Sequence, residues 1–279
     1  MNPLTNDEIR QNVRQRYRQA AVQNASESGP TVSGCCSSSE VEAAGCCSTP
    51  TDFKEISAEL GYSEDELNAA PEGANLGLGC GNPQAIARIS PGEVVLDLGS
   101  GGGFDCFLAS RQVGETGKVI GVDMTPEMVS LARQNALKGG FANTDFRLGE
   151  IENLPVADQS VNVIISNCVI NLSPDKEQVF REAYRVLAPG GRLAISDVVT
   201  TAELPPEIKN DLEDLYAGCI SGASSIQELE NMLVRSGFTD ISIQPKDESI
   251  AFIKDWIPGA KLENYIVSAA IQAVKGYRK

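Results

Sequence analysis

The sequence predicts an α/β protein built on a doubly wound, mostly parallel sheet with helices on both faces. Three observations predict it. From residue 92 onward, short apolar runs alternate with helical patterns. The first run ends in a glycine turn, Gly99-Ser100-Gly101-Gly102-Gly103. An acid stands at or just after the end of each of the first three runs: Asp97, Asp123 and Glu150.

The elements follow in order. Residues 5–23 read as a helix, because Ile9, Val13 and Tyr17 recur at four-residue spacing. Arg10, Arg14, Arg16 and Arg18 occupy its other positions and read as a solvated basic face. Residues 26–48 are small and polar and read as a flexible segment carrying Cys35-Cys36 and Cys46-Cys47. Short helices are expected at 52–60 and 63–69, the second opened by a capping box of Ser63 and Glu66. Strands are expected at 94–98, 118–123, 145–148, 161–167 and 192–197. Of these, 161–167 is nearly all apolar, as a strand buried on both faces should be. Helices follow the first, second and fourth strands, with Pro126 at the first turn of one. Beyond residue 200 come helices at 205–217 and 225–236 and strands at 239–244 and 265–274, some completing the sheet and some capping its ligand edge. These boundaries divide the chain into an N-terminal helix with a cysteine-rich segment (1–75), a ligand-binding domain (76–200) and a completing C-terminal region (201–279).

Composition narrows the chemistry. The chain has 279 residues, 38 acidic against 23 basic, and a formal net charge of −15. Nucleic acid is an unsuitable partner, because binding it needs a basic face. The polar N-terminus lacks a signal-peptide pattern, and no apolar run is long enough for a membrane span, so a cytoplasmic protein is expected. There are 8 cysteines and no histidine. That combination removes Ser-His-Asp triads, Cys-His dyads and His-ligated zinc. In a reducing compartment the thiols suit soft-metal or metalloid chemistry, or simple burial.

The glycine turn lets backbone amides approach a ligand at a helix N-terminus. Asp97 suits an ammonium, Asp123 a ribose, and Glu150 beside Ile151 an adenine amine. Acids at three strand ends suit a pyrophosphate badly, because carboxylates repel it. With Gly121-Val122-Asp123-Met124 and Leu187-Ala188-Pro189-Gly190-Gly191-Arg192-Leu193, this pattern resembles the S-adenosylmethionine-dependent methyltransferases of Rossmann-like fold. The resemblance implies a seven-stranded sheet with a reversed last strand near 265–274. It also implies a cofactor held by Asp97, Gly99, Ser100, Gly101, Gly103, Asp123, Met124, Glu150, Ile151 and Asn167.

The loop after the fourth strand, which lies beside the donor methyl in that fold, holds Cys168. Cys80 lies in Gly79-Cys80-Gly81 and Cys219 in Gly218-Cys219-Ile220; flanking glycine predicts exposed side chains. Trivalent arsenic takes three thiolates and keeps a lone pair, a nucleophile that needs no histidine base. Gly79-Cys80-Gly81-Asn82-Pro83, Asn167-Cys168-Val169-Ile170-Asn171-Leu172, Tyr216-Ala217-Gly218-Cys219-Ile220-Ser221-Gly222 and Asp255-Trp256-Ile257-Pro258-Gly259 resemble the arsenite methyltransferases. What this implies is an As(III)-binding trio of Cys80, Cys168 and Cys219, and a redox partner in Cys46 or Cys47. It further implies arsenite or its glutathione conjugates as substrate, thioredoxin or glutathione as reductant, and a role in arsenic detoxification. A monomer is the default. Cys106 reads as a core residue, and Cys35-Cys36 stay unassigned. The rivals are a methyltransferase of another small molecule, such as a quinone or sterol, and a non-catalytic thiol protein that binds metalloid.

Overall fold

The chain is described by a computed structural model in which residues 5–27, 53–209, 220–254, 256 and 261–277 are described. The segments carrying Cys35, Cys36, Cys46, Cys47 and Cys219 lie outside them, as does most of the 205–217 helix.

The N-terminal helices are α1 (Asn6–Glu27), α2 (Phe53–Glu59), α3 (Glu64–Ala69) and the four-residue α4 (Gln84–Ala87). The capping box opening α3 is present: the Glu66 amide donates to Ser63 Oγ at 3.3 Å and the Ser63 amide to Glu66 Oε2 at 2.8 Å. Then come β1 (Val94–Leu98), α5 (Phe104–Val113), β2 (Lys118–Asp123), α6 (Pro126–Gly139), β3 (Thr144–Leu148) and β4 (Val161–Asn167). After a 3-10 turn at Ile170–Leu172 follow α7 (Lys176–Val186), β5 (Leu187–Thr200) and α8 (Pro206–Lys209). The two-residue β6 (Ser224–Ser225), α9 (Ile226–Ser236), β7 (Thr239–Lys246), α10 (Ile250–Ile253) and β8 (Ile266–Val274) complete the order.

The sheet runs β3-β2-β1-β4-β5-β8-β7, with β6 alongside β5. Strands β1 to β5 are mutually parallel, and β8 is antiparallel to both its neighbours, so the reversed last strand is present. The eighth strand, β6, is an addition to the seven expected. Strand β5 begins at Leu187 rather than 192, because Leu187 pairs with Val161 before the register shifts across 188–191.

Alternate residues of each central strand feed two cores, as period-two geometry requires. Leu96, Leu98, Ile120 and Ile164 pack with Val179 and Phe180 of α7 and Leu229 and Leu233 of α9. Val95, Val119, Val163 and Ile165 pack on the other face with Phe107 of α5 and Val129 and Ala132 of α6. The chain steps outward from β1 to β3, then returns to place β4 on the other side of β1. The carboxyl ends of β1 and β4 therefore flank a topological switch point, where ligands bind in open α/β sheets. No helix among the described residues is long and apolar enough to cross a membrane.

Candidate cofactor pocket and thiol pair

A cavity of about 1130 Å³ opens at this switch point. Its wall includes Asp97, Gly99, Ser100, Gly101, Asp123, Met124, Ile151 and Asn167, so most of the expected cofactor residues share one space. Gly99 is left-handed (φ 70°), and a Cβ there would stand 2.5 Å from a Val169 methyl, so the turn requires glycine. Asp123 accepts from the Gly101 amide at 3.0 Å and the Thr125 amide at 2.8 Å, which ties the glycine turn to the end of β2.

Two expected residues stand elsewhere. Gly103 (φ 93°) caps α5 against Phe107 and Phe146 and is outside the cavity wall. Glu150 also stays out of the wall; its carboxylate faces Arg14 at 3.3 Å and Arg10 at 3.6 Å. Glu152 lines the cavity instead and pairs with Arg10 at 3.1 Å. The arginines of α1, expected as a solvated face, thus tie that helix over the cavity, with Arg18 pairing to Glu127 at 2.9 Å. The signal was present but ambiguous, since a basic helix on an acidic chain suits solvent and an acidic loop equally.

The electrostatics select the ligand's charge. Burial pushes the Asp97 carboxyl well above the ordinary range, and the neighbouring Asp105 charge adds to this. Burial raises Asp105 to about 6, against hydrogen bonds from Tyr62 and Gln84. Asp123 is raised by burial too. Among the described residues no arginine or lysine pairs with any of the three. Buried carboxylates without a cation disfavour the ionised form, so a cationic ligand meets a complementary site. S-adenosylmethionine, with its sulfonium and ammonium, fits that set and the glycine cradle.

Beside this cavity stand two thiols. Cys168 follows β4 in a left-handed conformation (φ 58°) that non-glycine residues rarely adopt. Its amide donates to Ser196 O at 2.8 Å, which fixes the turn. Cys80 is 1% exposed, contrary to the expectation drawn from its flanking glycines. A Cβ at Gly79 would meet Asn167 Nδ2 at 2.8 Å, and one at Gly81 would meet Ser196 Oγ at 3.0 Å. These glycines permit close approach, and the loop turns Cys80 inward. The Cys80 and Cys168 sulfurs and an Asp197 carboxylate oxygen all lie within 4.8 Å of one another. Cys80, Cys106 and Cys168 form no disulfide among the described residues. Cys106 is fully buried, and its thiol donates to Asp97 Oδ2 at 3.3 Å.

Asp197 was not singled out from the sequence, although it is another acid near a strand's carboxyl end. It accepts from the Ile170 amide at 2.9 Å, the Asn171 side chain at 2.8 Å and the Val198 amide at 2.8 Å. Those bonds clamp the turn that carries Cys168. Burial and the nearby Cys168 raise its carboxyl well above the ordinary range. Tyr62 and Asp105 were missed too, because each acts through folding that unites distant segments.

The sheet order and the acidic, glycine-cradled cavity at its switch point point to an S-adenosylmethionine-dependent methyltransferase. A family model described as a methyltransferase domain matches residues 89–237. The chain is 51% identical over 275 residues to an arsenite methyltransferase of Halobacterium salinarum, covering 98% of this chain and 68% of that one. It is 41% identical over 210 residues to an arsenite methyltransferase of Aquipseudomonas alcaligenes, covering 73% of this chain and 58% of the relative. The crystal structure of an arsenic (III) S-adenosylmethionine methyltransferase from Chlamydomonas reinhardtii superposes with TM-score 0.60 at 32% identity, over 82% of this chain and 75% of that one. This chain belongs to the arsenite methyltransferase family. It spans about two thirds or less of the length of these two curated relatives.

Proposed function

We propose that this chain methylates trivalent arsenic held by its own cysteine thiolates, as a step in arsenic detoxification. The observation that carries the reading is the Cys80–Cys168 pair, buried with sulfurs within 4.8 Å beside a cavity suited to a cationic cofactor. S-adenosylmethionine supplies an electrophilic methyl on a sulfonium. Asp97, Gly99, Ser100, Gly101, Asp123, Met124, Ile151 and Asn167 are the residues assigned to hold it, with Glu152 beside Ile151 in the wall where Glu150 was expected.

The thiols do the rest. Cys80 and Cys168, with Cys219 as third ligand, exchange onto arsenite or its glutathione conjugates. Each As–S bond formed releases the displaced oxygen or sulfur ligand, which takes up the thiol proton. The arsenic lone pair would take the methyl carbon as its bond to the sulfonium sulfur breaks and S-adenosylhomocysteine leaves with that electron pair, and proximity and alignment would supply most of the catalysis. Methylation leaves arsenic pentavalent. Two protein thiols return it to the trivalent state by giving two electrons and closing a disulfide. Cys80 with Cys46 or Cys47 is assigned that pairing, and thioredoxin or glutathione reopens it by exchange. A monomer in the cytoplasm, where such reductants are supplied, accords with this chemistry. The division of labour follows 1–75 for the redox segment and lid, 76–200 for the cofactor and 201–279 for the third arsenic ligand.

The test is incubation of the full chain with arsenite, glutathione and methyl-labelled S-adenosylmethionine, followed by separation of arsenic species. Labelled methylarsenicals are expected, and Cys168→Ser is expected to lose them while still binding the cofactor. Absence of any methylated arsenic would refute the reading. Methylated arsenic undiminished in Cys168→Ser would refute Cys168 as an arsenic ligand.

A further inference from the structure

Tyr62 joins parts of the molecule that are far apart in sequence. It lies between α2 and α3, is 4% exposed, and its ring meets Phe104 edge-on at 5.0 Å. Its hydroxyl faces the Asp105 carboxylate at 2.9 and 3.0 Å and donates there. The same oxygen accepts from Asn167 Nδ2 at 3.1 Å. Asn167 Nδ2 also donates to Gly81 O at 2.8 Å, while Asn167 Oδ1 accepts from the Cys80 amide at 3.0 Å. One amide side chain thus grips both flanks of Cys80, and its own residue immediately precedes Cys168. All of its polar contacts agree with a single orientation of the amide.

Asp105 lies in the same cavity wall as Asp97, and the two carboxylates repel. A cationic group bound against them relieves that repulsion and holds the Asp105 carboxylate where Tyr62 donates to it. The hydroxyl, once fixed as donor to Asp105, presents its lone pair to Asn167. Hydrogen-bonded chains of this kind strengthen cooperatively in a low dielectric.

We propose that Tyr62 and Asn167 are positioning residues that couple cofactor binding to As(III) capture, through the chain Asp105–Tyr62–Asn167–Cys80. The proposal rests on the arsenic reading. Cofactor in the pocket sets the Cys80 loop in register with Cys168, so the thiol pair binds As(III) more tightly. By linkage, As(III) tightens cofactor binding by the same factor.

The experiment is calorimetric titration of the reduced full chain with sodium arsenite, with and without saturating S-adenosylhomocysteine, which carries the ammonium but no methyl. In the wild type we expect the As(III) Kd to fall at least about fivefold when S-adenosylhomocysteine is present, the low end of ordinary coupling. Tyr62→Phe, which keeps the ring contact, is expected to bring that ratio to about one while still binding both ligands. A wild-type ratio of one overturns the coupling, as does a wild-type ratio retained in Tyr62→Phe. Wild-type protein that takes no arsenite under either condition would instead remove the arsenic reading, and the coupling with it.

Discussion

Asp105 stands in the cavity wall beside Asp97, and its protonation changes the charge that wall presents to a cation. Its carboxyl is raised by burial to about 6, against hydrogen bonds from Tyr62 and Gln84. In the ligand-free protein the folded state binds the proton more tightly than the unfolded state does. This group therefore favours the fold below about pH 4, and that contribution is lost as pH rises to about 6. Cofactor binding runs the other way, because a cation prefers the ionised carboxylate. S-adenosylmethionine affinity measured by calorimetry should fall as pH drops below about 6, by at most about tenfold per unit for this one group. Asp105→Asn should flatten that profile; an unchanged profile would show that Asp105 does not face the cofactor's charge. Much of the site is legible at this scale. Asp97, Asp123, Asn167 and Cys168 each end or follow a strand, and a strand's carboxyl end is readable from its apolar run and turn. Asp105 and Tyr62 are not legible, because their role exists only once Tyr62 crosses 43 positions to reach Asp105.

At the scale of elements, α1 is the part whose meaning changed most. Val13, Arg10, Tyr17 and Ala20 of this helix line the cavity, and Val13 is 1% exposed. The helix is held to the β3 exit loop by Arg10 on Glu152, a carboxylate that also accepts from Ser173 at 2.8 Å. Reversing the charge with Arg10→Glu sets it against Glu150 and Glu152. Cofactor affinity should fall roughly tenfold, about 1.4 kcal/mol, mainly through faster release, because α1 is no longer tied to the β3 exit loop. Stopped-flow displacement would show this, and an unchanged release rate would mean that α1 does not cover the cofactor. Capping offers a control away from the site. In α9 the Glu228 amide donates to Ser225 Oγ at 3.3 Å, closing a capping box. Ser225→Ala should cost about 1 kcal/mol in urea denaturation with cofactor affinity unchanged. Helices with such boxes, and strands that are continuous apolar runs, were readable in advance. The four-residue α4 was not, since so short a piece has no periodicity to read. The Arg-rich face of α1 was readable only as charge, because its acidic partners lie more than 100 positions away along the chain.

For the whole molecule, the cofactor cavity is a place where the sheet stores unfavourable charge. Two well-packed faces, with Phe107 and Phe180 almost wholly buried, offset it. Removing one such ring, as in Phe107→Ala, should destabilise by about 3–5 kcal/mol. Asp97 and Asp105, by contrast, are buried carboxylates that pair with no arginine or lysine among the described residues. A ligand that binds only the folded state stabilises by mass action, about 2.7 kcal/mol at a hundred times its Kd. For a chain of this size that is a rise in melting temperature on the order of 5–10 °C. The charge argument makes a sharper prediction than the magnitude alone. Asp97→Asn removes a buried charge, so the ligand-free variant should melt at or above the wild type. It should also lose most of the rise given by S-adenosylmethionine, because the ammonium has lost its carboxylate. Opposite shifts in the two conditions would separate a ligand-binding carboxylate from one that simply holds the fold together. A variant that melts lower without ligand, yet keeps the full rise with it, would assign Asp97 to structure and place the cofactor's ammonium elsewhere.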